Sequence, residues 1–421
     1  MPKKIILIFI LIILLLAGGI YYFFFYQSSP LSLIDTEETK TTGFSPINRA
    51  SITTPRNTPI SATSTDRSPN TFAQQTKLPA LRHLSTTPIG GFMASSTASS
   101  TVVRFVDRGV GHIYESSSIT DEIRKISNTT IPRVYESYWN KNLNTAVFRY
   151  MKDETDTISN FYAEIRPIKT STSTFVTSNE INSEVKGKFI SQDIKEMAVS
   201  PKKDRIFTLG VENGRGIGYV SGFDESKKTK IIDTPITQVS VEWPEENTVA
   251  ITTKPSGVSS GYLYFLDIKK TSLKKILGGI IGLSTKVSPD AKKILFSSSN
   301  SRGFATNLYN TKDNSNQEMV FRTLADKCVW SRIRPNEIYC SVPVEIPKGV
   351  YPDDWYKGTV SFTDQIWHLD TTTGEVHLLA NLLKISDELI DAIDLTLDPK
   401  ENFLYFVNKR DLTLWSLDLN D

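Results

Sequence analysis

Few residues in this sequence are placed to do chemistry. Cys328 and Cys340 are the only cysteines in 421 residues, twelve positions apart in "DKCVWSRIRPNEIYCSVP" (326–343). A zinc site needs further convergent ligands, and a redox pair reads C-x-x-C; neither pattern is present. The four histidines, His83, His112, His368 and His377, lie in separate strand-like stretches with no H-x-x-x-H pair, so they read as strand residues. Gly257-Val258-Ser259-Ser260-Gly261 matches G-x-S-x-G. A nucleophile elbow needs a strand–turn–helix context and later Asp and His partners, whereas this motif falls in a turn between two strands. Gly214, Gly216 and Gly218 form a Gly-rich hairpin with no helix after it, which excludes a dinucleotide cradle. No metal and no cofactor is implied. The densest contact chemistry is Tyr351, Asp353, Asp354, Trp355 and Tyr356, five residues in six positions. Aromatics beside carboxylates suit a partner-binding hot spot or a sugar-stacking platform. The competing reading is a loop folded back as a lid with its Trp buried. Adjacent carboxylates seldom converge on one ion without other ligands, so Ca²⁺ or acid–base work by Asp353 and Asp354 is the weakest of the three.

The compartment follows from the first fifth of the chain. Residues 5–26, "IILIFILIILLLAGGIYYFFFY", carry no charge. As a helix this segment is long enough for the roughly 30 Å hydrocarbon core. Lys3 and Lys4 precede it and Lys40 is the first cation after it, so the positive-inside rule keeps the N-terminus in the cytoplasm and sends the rest outside. Tyr21, Tyr22 and Tyr26 would lie at the outer interface. The apolar run continues past Ala17-Gly18-Gly19, which favours an uncleaved anchor over a signal peptide. Residues 27–78 hold 24 Ser, Thr or Pro in 52 positions. Such a segment cannot bury enough surface to offset its ordering entropy and reads as a disordered linker. Balanced charge, 48 Lys and Arg against 46 Asp and Glu, argues against a general nucleic-acid binder.

From residue 79 to 421 a repeat sets the fold. A strand ends in a turn and a second strand follows, as in "TKVSPDAKKILFSSS" (Thr285–Ser299), "EMAVSPKKDRIFTLG" (Glu196–Gly210) and "DLTLDPKENFLYFVN" (Asp394–Asn408). A third strand ends in Asp, as in "LYFLD", "IWHLD" and "LWSLD", and a basic-apolar fourth closes the unit, as in "LKKILG". The first strands end near Trp139, Ser200, Trp243, Ser288, Ser331 and Leu397, and three successive intervals are 43, 45 and 43 residues. That is the period of a four-stranded propeller blade. The last unit ends on its third strand, and "LRHLST" (Leu81–Thr86) has fourth-strand character. The expectation is seven blades, with Leu81–Ser85 completing the last and removing the open edge.

The Ser288-Pro289-Asp290 turn, with Ser200-Pro201 and Asp398-Pro399, resembles the TolB-like and WD-like propeller repeat over about residues 80–421. Blades two and four carry Trp139-Asn140 and Trp243-Pro244 in its place. The resemblance implies a protein-binding platform or a module attached to a hydrolase, and no hydrolase domain follows. In this frame Cys328 and Cys340 face each other across the first hairpin of blade six, within disulfide range. Outside the membrane disulfides persist, so a structural staple is expected. Two insertions interrupt the period. Arg166–Glu184 is polar and reads as a mobile loop between the third and fourth strands of blade two. Pro343–Asp364, between the second and third strands of blade six, contains the aromatic–acidic cluster and lies on the face that commonly binds partners. The expected function is therefore a membrane-anchored, non-enzymatic scaffold that binds a protein or a cell-envelope polymer. The alternative is an envelope polysaccharide lyase or hydrolase using loop-face carboxylates and tyrosines.

Overall fold

The computed structural model describes residues 78–152, 157–168 and 183–420. The anchor (5–26), almost all of the linker (27–78) and most of the blade-two insertion lie outside the described residues. Among the described residues no helix is long and apolar enough to cross a membrane.

Seven antiparallel four-stranded sheets form the blades of a propeller. Their innermost strands, A, are Ile89–Ser96, Val134–Trp139, Ile194–Val199, Val239–Glu245, Ser284–Val287, Cys328–Trp330 and Ala392–Leu397. Strand B of each blade is sandwiched between both neighbouring blades. That is why B strands read as continuous apolar runs: in Ile206–Glu212 the first four residues are all buried, and in Phe403–Asn408 five of six are. Strand D lies outermost and alternates weakly, and its lysines (Lys274, Lys275) face solvent. Charged outer edges of this kind discourage pairing between molecules.

Blades are joined chiefly by apolar clusters that cross from one sheet to the next, such as Val106, Ile113 and Val134 with Trp139 and Phe148. Polar staples fix the angles. Arg149 of blade two donates to the carbonyls of Ile194 and Lys195 in blade three, each at 3.0 Å. Thr252 and Thr285 bond across blades four and five at 2.7 Å.

The N-terminal strand Leu81–His83 pairs with Thr413–Asp418, in the register Leu81↔Leu417, and supplies strand D of blade seven as expected. Leu84 donates its amide to the Leu414 carbonyl at 2.7 Å, and the Leu414 amide donates to Ser85 Oγ at 2.8 Å. His83 stacks on Trp415 with ring centroids 4.1 Å apart. On the other side, Asp398 of blade seven accepts hydroxyl hydrogen bonds from Ser96 and Thr101 of blade one at 2.9 Å. Cys328 pairs with Cys340 across strands A and B of blade six and forms the disulfide, both residues being buried.

Leu84→Ala should lower unfolding stability by about 2–5 kcal/mol, because the leucine is 1 % exposed at the closure. Reducing the disulfide should cost roughly 2–3 kcal/mol for so short a loop. Urea denaturation of the wild type, the variant and the reduced protein checks both; unchanged midpoints would contradict them.

Candidate functional site

All A strands run in the same direction along the channel. The A–B hairpins therefore surround one mouth, and the D–A and B–C loops surround the other. The two mouths are built differently.

The loop mouth is occupied by residues 344–363, the B–C loop of blade six. The loop carries a one-turn helix, Asp353–Tyr356, and folds over an apolar cluster of Phe304, Leu324, Tyr351, Trp355 and Phe362. The Trp355 ring stacks on Phe362, and its indole N–H donates to Asp391 Oδ2 at 3.0 Å. The Phe362 amide donates to the same carboxylate at 2.9 Å. Beneath lies Lys327, wholly buried. Its ammonium bonds Asp391, lies 2.8 Å from Asp364, donates to the Ala392 carbonyl at 3.0 Å and sits 5.1 Å from the Trp355 ring centroid. Burial raises the Asp364 carboxyl to about 6, with Asp391 adding to the rise and Lys327 opposing it. Asp364 Oδ1 is buried without a hydrogen-bond partner.

The five residues expected to contact a partner are thus distributed by this fold-back. Tyr351 and Trp355 are 2 % and 3 % exposed and pack inside. Both rings lie inside the fold-back, the placement that the lid reading describes. The cause is Lys327 and Asp391: a buried cation and carboxylate need satisfied neighbours, and the loop supplies an indole N–H, an amide and two aromatic faces. Asp353 accepts from the Gly257 amide, which gives the G-x-S-x-G stretch a structural task. Asp354 accepts from the Val350 amide at 2.7 Å. Tyr356 donates its hydroxyl to Asp326 and is the one aromatic of the five with substantial exposure, 44 %.

The hairpin mouth opens into a cavity of about 980 Å³, lined by strand-A ends and A–B turns of blades one to seven except the buried parts of their walls. The turns are tight: Leu143, Lys203, Ala291 and Glu401 occupy the same hairpin position, each with φ between 56° and 58°, and each donates its amide to the residue three before it. Glu401, buried, uses this position to bond Ser331 Oγ and the amides of Arg332 and Ile333 in the neighbouring hairpin. Lys203 uses it to reach Met93 Sδ at 2.8 Å, beside Lys141 and Arg332. Burial lowers the Lys203 ammonium to about 8, and Arg332 and Lys141 push it in the same direction. The sequence reading took these turns as fold signals and did not single out Lys141, Lys203 or Arg332; three cations at one hairpin end of three blades were the available signal.

Between the mouths, most channel carboxylates are paired. Glu136 holds Arg149 at 2.7 Å and accepts from Tyr138 at 3.0 Å, Glu196 holds Lys254 at 2.6 Å, and Glu242 holds Lys286 at 2.9 Å. Asp394 differs. It sits at a bulge with φ 55°, its side chain is exposed to the channel with no hydrogen bond among the described residues, and desolvation by the surrounding channel walls raises it above its ordinary value despite Lys286. Among the described residues no three His, Cys, Asp or Glu are placed to hold a metal. The four histidines remain apart from any such group, although His368 meets Glu337 at 3.0 Å.

No protein-family model and no curated protein matches the sequence. Solved structures do. TolB from Acinetobacter baumannii is 12% identical over 78% of each chain, with a TM-score of 0.42. An oligogalacturonate lyase from Vibrio parahaemolyticus is 10% identical, covering 80% of this chain and 93% of its own, with a TM-score of 0.51. The β-propeller domain of the Trilobed protease from Pyrococcus furiosus is 11% identical over 78% of this chain and 97% of its own, at 0.48.

The raised carboxyl of Asp364 means that the folded state binds a proton that the unfolded state releases. Its contribution to stability is present at low pH and lost as pH rises through about 6. Asp364→Asn should remove this component, so the wild-type stability should fall more steeply than the variant's between about pH 4 and 6 in urea titrations. Parallel profiles would contradict the assignment. At these identities the likeness to solved structures is one of fold, and that fold is a seven-bladed β-propeller.

Proposed function

We propose that the chain is a membrane-anchored, extracytoplasmic scaffold that binds a protein or a cell-envelope polymer without transforming it, and that it does so at the hairpin mouth. The observation that carries this reading is the contrast between the mouths. One is covered on the side of blades four to seven by a loop whose aromatic and acidic side chains are satisfied from within, while the other is an open cavity of about 980 Å³. Pockets of this size, apolar with a few convergent polar groups, are where proteins take ligands. The uncharged run 5–26 and the Ser/Thr/Pro-rich stretch after it supply the tether on sequence grounds. Balanced overall charge supports a local rather than a field-driven contact, and nucleic acid is not the expected partner.

The enzymatic alternative, cleavage of an envelope polysaccharide, draws on one observation. Asp394 is a solvent-reachable channel carboxylate, raised by desolvation and without a hydrogen bond among the described residues, which is how a general acid or base is prepared. Most other channel carboxylates are committed to ion pairs, and Asp326 accepts from the Tyr356 hydroxyl, and that favours binding. If the alternative holds, Asp394→Asn should abolish cleavage of extracted envelope polysaccharide, a loss that binding alone would not produce.

A photo-cross-linking residue placed at Lys202, on the hairpin rim, should capture a partner in intact membranes, whereas one at Lys357, on the loop cap, should not. Capture from position 357 alone would move the site back to the cap, and capture from neither would defeat the scaffold reading.

A further inference from the structure

We propose that the hairpin-mouth cavity is an anion site: Lys141, Lys203 and Arg332, from blades two, three and six, together receive a carboxylate or phosphate group of the ligand. This deepens the proposed function and rests on its placement of the ligand at this mouth.

The argument is one of unmatched charge. Five cations line the cavity. Two have carboxylate partners: Lys286 bonds Glu242 at 2.9 Å, and Lys202 lies 3.5 Å from Glu246. The acidic side chains that line the same cavity are turned to other work. Glu401 accepts from Ser331 and from two backbone amides. Asp398 accepts from Ser96, Thr101 and its own turn. Asp204 accepts from Ser200 Oγ at 2.7 Å, and the remaining oxygen of Glu242 accepts from the Val287 amide at 3.2 Å. Among the described residues no carboxylate closes on Lys141, Lys203 or Arg332.

Lys203 is half-buried, and Lys141 and Arg332 reach the same cavity from exposed turn positions. The Lys203 backbone is held in a left-handed turn, and its carbonyl accepts from the Lys141 amide at 3.2 Å, which locks the two hairpins together. The Lys203 ammonium has a thioether for its nearest partner. Arg332 is anchored through its amide to Glu401, leaving its guanidinium to the cavity. Burial holds that guanidinium below its ordinary value although Glu242 and Glu401 oppose the effect. Like charges gathered at one mouth around a half-buried ammonium repel one another. An anion would supply the missing counter-charge, and a guanidinium fork beside an ammonium matches the oxygens of either group.

The test uses the full chain in detergent, with inorganic phosphate and citrate as probes. Trace acetylation at roughly neutral pH, mapped by mass spectrometry, reports on each amine. Lys203 should acetylate faster than Lys274 and Lys275 of the outer strand. Phosphate or citrate should protect Lys203 selectively, while sodium chloride at equal ionic strength should not. The stronger protector identifies the class, phosphate or carboxylate. Arg332→Gln, at an exposed turn position, should weaken protection about tenfold, the worth of one charge-assisted hydrogen bond. Lys141→Gln serves as a second variant should the first fail to fold. Equal effects of chloride and of both probes would overturn the site, as would protection unchanged by either substitution. Anion protection without cross-linking from Lys202 would leave the site standing and defeat the scaffold reading. Cross-linking without protection would do the reverse.

Discussion

The molecule depends on one pairing, that of Leu81–His83 with Thr413–Asp418. A blade buries its B and C strands only against its neighbours, so no repeat is stable alone, and an open arc would leave two bare faces. Closure removes both. The N-terminal strand completes blade seven, while Asp398 clasps Ser96 and Thr101 of blade one from the opposite end of the same seam. A channel with two defined mouths exists only because the ring closes. Every statement about what those mouths can hold is therefore downstream of a three-strand sheet receiving its fourth strand from the other end of the chain.

The mouths then divide by how charge is treated. At the loop mouth, burying Lys327 costs several kcal/mol of desolvation, which Asp364, Asp391 and a carbonyl offset. Such an arrangement adds little net stability, but it has only one geometry. Trp355 and Phe362 must lie where Asp391 can accept from them, and that locates the entire loop. At the hairpin mouth the fold spends its carboxylates differently. Glu401 and Asp398 cap backbone amides and hydroxyls, so the hairpins are rigid while neighbouring cations are left without counter-charge. The first pattern closes a surface and the second leaves one receptive.

This contrast explains what was legible in the sequence. Strand period, the Ser-Pro-Asp turn and the cysteine register are local signals: each depends on residues within a hairpin or on the backbone conformation of a turn. The fate of "YPDDWY" is not local. An exposed hot spot and a buried plug share the same composition, aromatic and acidic, and what decides between them is Asp391, 36 positions from Trp355 and on a different loop. The cationic trio was hidden for the same reason. Lys141, Lys203 and Arg332 look like ordinary turn residues one at a time, and only the radial symmetry of the blades brings them to a common axis.

That symmetry also shows how a repeat scaffold acquires a site without altering its fold. In blades two, three, five and seven the fourth position of the A–B hairpin adopts a left-handed backbone, at Leu143, Lys203, Ala291 and Glu401. Its side chain is not constrained in the same way. In blade two it is a buried leucine packing the core, and in blade seven a glutamate that fastens the preceding hairpin. In blade three it is a lysine directed to the channel. The backbone requirement is met in every case, so the side chain at this position can change from packing to fastening to charge presentation with the ring unchanged. A propeller's binding chemistry can therefore reside in the very turns that announce its fold, one substitution per blade, and the turn motif marks where to look rather than what is bound.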